Sequence, residues 1–280
     1  MRVFSGQARL VAVAALVLSA CSGAAATPSS VVVRSPAASA TSSTATSELT
    51  IYAAASLMAS FKDLAAAYTR PTGLAITLSF DSSAMLEAQI EQGAPADILA
   101  SADTASPAKL VAAGLAAGSP RNFARNVLAI IVPASGSTAV AGPADLALAG
   151  VKIIAAGDFV PITRYATQLI ANLAKQPGYP ADFAAAVTAN IVSKEDNVQA
   201  VVSKIELGEG DAGIVYATDA LASTKVRTID VPAAANVPAT YAAVAVKASK
   251  NLAGAQAFLT WLTGADAQAI LAQHGFLPPG

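Results

Sequence analysis

An α/β fold, with mostly parallel sheets flanked by helices, is predicted by three observations. From Leu49 onward, short apolar runs of strand length alternate with segments whose apolar residues recur at helical spacing. Several of those runs end in small hydroxyl or Gly residues that open the next helix, the pattern of repeated β-then-α units. The high apolar content is mostly Ala. After residue 20 no run reaches the roughly 18 apolar residues that a membrane-spanning helix needs.

The elements follow in order. Leu49–Ala55 is strand-like, and Leu57, Phe61, Leu64, Ala65 and Tyr68 then recur at helical spacing. Leu74, Ile76, Leu78 and Phe80 alternate as a half-buried strand should. Met85–Ile90 is helical and Ile98–Ala100 a short strand. Val127–Val132 is a continuous apolar strand ended by Pro133, and Val151–Ala155 is another, followed by Gly157. Helices are predicted over Arg164–Leu173, over Phe183–Thr188, and from Val198 to a stop near Gly208. Strands follow at Ala212–Tyr216, Val226–Val231 and Tyr241–Val246, and helices close the chain at Leu252–Leu262 and Asp266–Gln273. No repeat of fixed period is visible.

The front of the chain is read as an address. Arg2 and Arg9 precede the apolar run Leu10–Leu18, and Leu18-Ser19-Ala20-Cys21 resembles a bacterial lipobox. Residues 1–21 are therefore expected to be a lipoprotein signal peptide, with Cys21 acylated and holding the protein on the extracytoplasmic face of the cell membrane. Residues 22–48, almost entirely Ser, Ala, Thr, Pro, Gly and Val, are expected to be a disordered tether.

A net charge of -1 gives no broad basic face for nucleic acid. A single Cys excludes an internal disulfide and a Cys-rich metal site. No cofactor is expected, and no oligomer is implied beyond a monomer. With one His and no Gly-x-Ser-x-Gly, a Ser–His–acid hydrolase has little support. Ser106-Pro-Ala-Lys109 matches Ser-x-x-Lys but lacks its companion motifs, so Lys109 is assigned to a solvated helix face. His274 is read as a dipole partner at a helix end, Phe258 and Trp261 as core, and Glu195 with Asp196 as a charge pair leading into a helix.

Three strand-to-helix turns remain: Ala53-Ala54-Ala55-Ser56, Phe80-Asp81-Ser82-Ser83 and Lys194-Glu195-Asp196-Asn197. Helix N-termini carry unpaired N–H groups and the positive end of a dipole, so several together form an anion site without Lys or Arg. Ser and Asn are also the commonest N-caps, and each turn alone is explained structurally.

Leu49-Thr-Ile-Tyr-Ala-Ala-Ala-Ser-Leu57 resembles the opening strand and turn of ModA-type periplasmic molybdate-binding proteins. The resemblance continues through Phe80–Leu86, Gln89-Ile-Glu-Gln-Gly-Ala-Pro-Ala-Asp97, Ser101-Ala-Asp103 and Arg125-Asn-Val-Leu128 with Val132-Pro133. It extends to Glu195-Asp-Asn-Val198 and Gly208-Glu-Gly-Asp-Ala-Gly-Ile-Val-Tyr-Ala-Thr-Asp-Ala220, and ends near Gly275-Phe276. It implies a two-lobed periplasmic-binding-protein fold of type II, with lobe one over 49–125 and 238–280, lobe two over 126–237, and hinge strands near Asn126–Val132 and Pro238–Val244. It implies capture of molybdate, and of tungstate, for the membrane permease of an ABC importer, with no covalent chemistry. Molybdenum would enter only as the oxyanion. Sulfate or another oxyanion is the alternative ligand, and a surface hydrolase with a Ser nucleophile the alternative class.

Carried over residue by residue, the ligand would meet Ser56, Ser83 and Ala102 from lobe one, and the backbone N–H of Ile162, that of Val198 and the hydroxyl of Tyr216 from lobe two. Such a donor-only set suits a dianion that carries no proton. Two positions depart from the family pattern. Thr163 stands where the family has Gly, which raises the prospect of a strained positive φ. Asp81 replaces a small residue and is expected to face solvent or cap the following helix.

Overall fold

The computed structural model describes residues 48–136 and 138–280. Residues 1–47, with the expected signal segment, Cys21 and nearly all of the expected tether, lie outside them. The described chain begins with β1 (Glu48–Ala54), a 3₁₀ turn (Ala55–Leu57) and α1 (Met58–Thr72). It continues through β2 (Ala75–Asp81), α2 (Ser83–Glu91), β3 (Ile98–Ser101), α3 (Ala105–Ala112), β4 (Arg121–Asn126) and β5 (Leu128–Pro133). Next come β6 (Ile153–Ala156), α4 (Pro161–Leu173), α5 (Phe183–Ala189), β7 (Ile191–Glu195) and α6 (Val198–Glu206). The last elements are β8 (Ala212–Tyr216), α7 (Ala217–Leu221), β9 (Val226–Ile229), β10 (Ala239–Ala245), α8 (Leu252–Leu262) and α9 (Ala265–Gln273).

The strands form two five-stranded sheets, ordered β2-β1-β3-β10-β4 and β7-β6-β8-β5-β9. Both are mixed. In the first, β2, β1 and β3 run parallel, and β10 and β4 complete it antiparallel. In the second, β7, β6 and β8 are parallel, and β5 and β9 are antiparallel. The antiparallel members arise from the crossings between sheets. The chain leaves the first sheet at Asn126 and joins the second at Leu128, then returns from β9 to β10. A two-way bond clamps these crossings: Leu128 N–H donates to Asn236 Oδ1 and Asn236 Nδ2 donates to the Leu128 carbonyl, both at 2.9 Å.

Local chemistry sets the ends of the helices. α1 stops at Gly73, which takes a left-handed φ of 68° and returns its N–H to Thr69. α4 starts with Pro161, whose fixed φ suits a first helical position and whose missing N–H costs nothing there. α6 is capped by Asn197, whose Oδ1 accepts from Ala200 N–H at 3.1 Å. α6 also lies close on the second sheet: a Cβ at Gly213 would fall 2.9 Å from Val201 Cγ1. The main core joins both sheets to α1, α4, α6 and α8. A smaller cluster of Leu86, Ile90, Leu99, Leu110 and Val244 lies under α2 and α3. No helix among the described residues is long and apolar enough to cross a membrane.

β1 begins one residue earlier than the apolar run, at Glu48, because that carboxylate accepts from Thr77 Oγ1 on β2 at 2.7 Å. Thr163 raises no strain. It lies inside α4, and its hydroxyl donates to the carbonyls of Ala156 (3.1 Å) and Gly157 (2.7 Å), tying the helix start to the end of β6. His274 caps α9 and sits 2.8 Å from Asp63, while Phe258 and Trp261 pack with Tyr68. Lys109 is exposed, yet its ammonium lies 3.0 Å from the buried Glu87 carboxylate. Glu195 is held by Ser193 and Lys204.

Candidate functional site

One small, open-mouthed cavity is lined by the ends of β1 and β2, by the turns that follow β6 and β7, by the residue after β3 and by the end of β8. Each of the first four leads into a helix, so four helix beginnings converge: Ala55-Ser56, Ser82-Ser83, Val160-Pro161 and Asn197-Val198. Helix N-termini present free N–H groups and a positive dipole end, so their convergence creates a field that favours an anion. Tyr216, at the end of β8, closes the cavity.

Five of the six residues singled out from the sequence line this cavity: Ser56, Ser83, Ala102, Val198 and Tyr216. The side chain of Ile162 does not. It is buried in lobe two and lines a separate apolar cavity with Ile153, Ile170 and Val187. From that turn, Val160 and Pro161 reach the shared cavity instead. The helical register explains this, since the residue after Pro161 points back toward the second sheet.

The hydroxyls are arranged to donate. Asn126 Nδ2 reaches Tyr241 Oη at 3.4 Å, which lies 3.0 Å from Ser56 Oγ. With Tyr241 accepting from Asn126, its one proton goes to Ser56, and the Ser56 proton is left free to donate elsewhere. Ser83 Oγ accepts from Ala102 N–H at 3.0 Å, which orients its proton away in the same manner. Tyr216 Oη and Ser82 Oγ are buried and have no hydrogen-bond partner among the described residues. Leaving a buried hydroxyl unpaired costs about 1–3 kcal/mol. Burial pushes the Tyr216 and Tyr241 phenols well above their ordinary value near 10, so both stay neutral donors at physiological pH.

Among the described residues Asp81 is the lone carboxylate on the cavity wall. It is half-buried and makes no side-chain cap of α2. Its Oδ1 accepts the Ser82 N–H at 2.7 Å and Asn197 Nδ2 at 3.2 Å, the second bond crossing from lobe two to lobe one. These donors compensate its charge beside the cavity. A second bridge across the cleft joins Arg164, at the start of α4, to the buried Asp103 at 3.8 Å. Behind Tyr216, the buried Asp219 accepts Tyr216 N–H (3.1 Å) and Gln199 Nε2 (2.8 Å), and burial raises its carboxyl to about 7 despite them. The sequence reading missed Ser82 and the bridging role of Asn197. The Ser82-Ser83 pair was the available signal, but sequence does not say that both adjacent serines reach the cavity. Among the described residues no group of His, Cys, Asp and Glu could hold a metal ion.

Residues 49–277 match the sequence profile of the bacterial extracellular solute-binding proteins. The chain is 35% identical to the molybdate-binding protein ModA of Mycobacterium tuberculosis over 233 residues, covering 82% of this chain and 85% of that protein. It superposes on the Azotobacter vinelandii periplasmic molybdate-binding protein with a TM-score of 0.71 and 28% identity, covering 83% of this chain and all of the other. The sulfate-binding protein SubI of Mycobacterium tuberculosis shares the fold, with a TM-score of 0.73 at 21% identity over 82% of this chain and 86% of that one. Two mixed sheets, an inter-lobe cleft at their strand ends and a profile match over nearly the whole described chain lead to one assignment: the chain belongs to the bacterial extracellular solute-binding protein family.

Proposed function

We propose that this protein captures molybdate, and tungstate, outside the cytoplasmic membrane and delivers it to the permease of an ABC importer. The observation that carries this reading is a cavity lined by hydroxyl and helix-start donors, with its Asp81 carboxylate oxygen engaged by Ser82 N–H and Asn197. Unpaired or acceptor-loaded hydroxyls from both lobes and four helix beginnings surround it, with no cation on its lining among the described residues. A proton-free dianion can accept from every one of these groups, and charge-assisted bonds of this kind are about twice as strong as neutral ones. The likeness to molybdate-binding relatives supports the same ligand.

In this reading Ser56, Ser83 and Tyr216 donate through their hydroxyls. Ile162 and Val198 donate through the first N–H groups of α4 and α6, since Pro161 has none to give. Ala102 acts through Ser83, because its N–H is already held there. Residues 49–125 with 238–280 form lobe one and 126–237 lobe two. The lobes close by bending at the two crossings. Cys21 carries the lipid, residues 22–48 are the tether, and the protein works as a monomer without catalysis or cofactor.

Isothermal titration of the soluble body against molybdate, tungstate, sulfate and phosphate tests this. Tight binding of the first two alone is expected. Binding of sulfate alone would reassign the ligand. Binding of none, with esterase activity lost in Ser56→Ala, would make the protein an enzyme.

A further inference from the structure

Ser82 stands at the N-cap of α2, where a serine ordinarily bonds to the backbone one turn ahead. Here its side chain makes no such cap. The residue is 2% exposed, lines the anion cavity, and its Oγ has no partner among the described residues. Its backbone is fixed all the same. Ser82 N–H donates to Asp81 Oδ1 at 2.7 Å, and the same oxygen accepts Asn197 Nδ2 from the opposite lobe at 3.2 Å. A hydroxyl that forgoes its cap, stays unpaired in a buried place, and is steered by a bond across the cleft has the features of a ligand donor.

We infer that Ser82 is a further oxyanion-binding residue, donating its hydroxyl to the tetrahedral ligand in the closed cleft beside Ser83. Asp81 and Asn197 are its positioning residues. The bond from Asn197 spans the cleft, and it shares Asp81 Oδ1 with the Ser82 N–H. α2 would then contribute two adjacent hydroxyls on different sides of its first turn, so the ligand is bracketed at the start of that helix. The carboxylate itself is directed to Ser82 N–H and Asn197 rather than to the anion, which resolves the apparent conflict of an acid on an anion site. The inference rests on the oxyanion reading above.

The test uses the soluble body, titrated with sodium molybdate, and compares wild type with Ser82→Ala and Ser82→Thr. Removing a hydroxyl donor to an anion is expected to weaken binding about tenfold or more in Ser82→Ala, with much of the affinity retained in Ser82→Thr. Thermal melts supply the readout that a structural cap would move differently. Without ligand, Ser82→Ala should melt at or above the wild-type temperature, because it deletes an unpaired buried hydroxyl and no cap. With ligand, its stabilisation should be smaller than that of wild type, as mass action requires. A lower ligand-free melting temperature with unchanged affinity would make Ser82 a cap and overturn the inference. Unchanged affinity at an unchanged melting temperature would overturn it equally. In either case a wild type that binds molybdate leaves the oxyanion reading standing, whereas a wild type that binds none of the four anions removes that reading and the inference together.

Discussion

The two lobes share one plan and divide the site between them unequally. In each, three strands that follow one another along the chain form a parallel triplet in the order second, first, third (β2-β1-β3 and β7-β6-β8), a crossing strand comes next, and the remaining strand lies at the edge. β10 fills the crossing place in lobe one and β5 fills it in lobe two. Yet lobe one brings short hydroxyls at helix beginnings, Ser56, Ser82 and Ser83, whereas lobe two brings one deep phenol, Tyr216, and two helix starts without serine. The bridging bonds are polarised in the same sense. Lobe one supplies the carboxylates Asp81 and Asp103, and lobe two the donors Asn197 and Arg164. Neither lobe surrounds a ligand alone, so the matching plan supplies the scaffold and the differences at the strand ends supply the recognition.

The largest test of this contrast concerns buried acids. In lobe one Glu87 and Asp103 face cations, Lys109 at 3.0 Å and Arg164 at 3.8 Å, and burial raises the Glu87 carboxyl even so, with Lys109 opposing it. In lobe two Asp219 faces the neutral donors Gln199 and Tyr216 N–H, and its carboxyl rises from 3.8 to about 7. The unfolded chain therefore releases this proton before the folded one, and stability falls as pH rises from about 4 through 7, with the loss complete above that. The loss is on the order of 4 kcal/mol. Denaturation at pH 5 and pH 8 should show a steeper decline for wild type than for Asp219→Asn, and parallel profiles would break the contrast.

Next in size are the donors themselves. Ser83→Ala and Tyr216→Phe should each weaken molybdate binding by about 1.5–3 kcal/mol, read by calorimetry. Their melts should diverge. Ser83→Ala leaves the Ala102 N–H without its acceptor and should lower the ligand-free melting temperature, whereas Tyr216→Phe deletes an unpaired hydroxyl and should not. Unchanged affinity in both would discredit the division of labour. Gly213→Ala should cost about 1–3 kcal/mol in chemical denaturation, since the new Cβ meets Val201 on α6 and the Ile154 carbonyl. The smallest effects belong to the bridges. A double-mutant cycle on affinity should give about 0.5–1.5 kcal/mol for Asp81 with Asn197. Asp103 with Arg164 should give less than about 1 kcal/mol, because Arg164 is largely exposed. Equal couplings would show that both bridges serve alike.

Much of this was legible in the sequence because apolar runs mark buried strands: β1, β3, β5, β6, β8 and β10 were all visible. β4 was not, since Arg121-Asn-Phe-Ala-Arg-Asn126 buries chiefly Phe123, Ala124 and Asn126. β7 was hidden in another way, as an edge strand with Val192 exposed and Lys194 facing solvent. α3 and the five-residue α7 carry too few periodic residues to register. In the site, residue type identified the hydroxyls and their turns. Register decided the rest: that both Ser82 and Ser83 reach the cavity, where Ile162 points, and which atoms Asp81 meets are set by local backbone geometry that composition does not record.

The crossing at Val127 has one more consequence. Asn126 on β4 and Ala239 on β10 are already antiparallel partners. Cutting out everything from 127 to 238 would leave two strand ends side by side, at the spacing a tight two-residue turn bridges. Topologically the second lobe is thus a graft on a hairpin, and the severed parent sheet can be resealed without moving any of its strands.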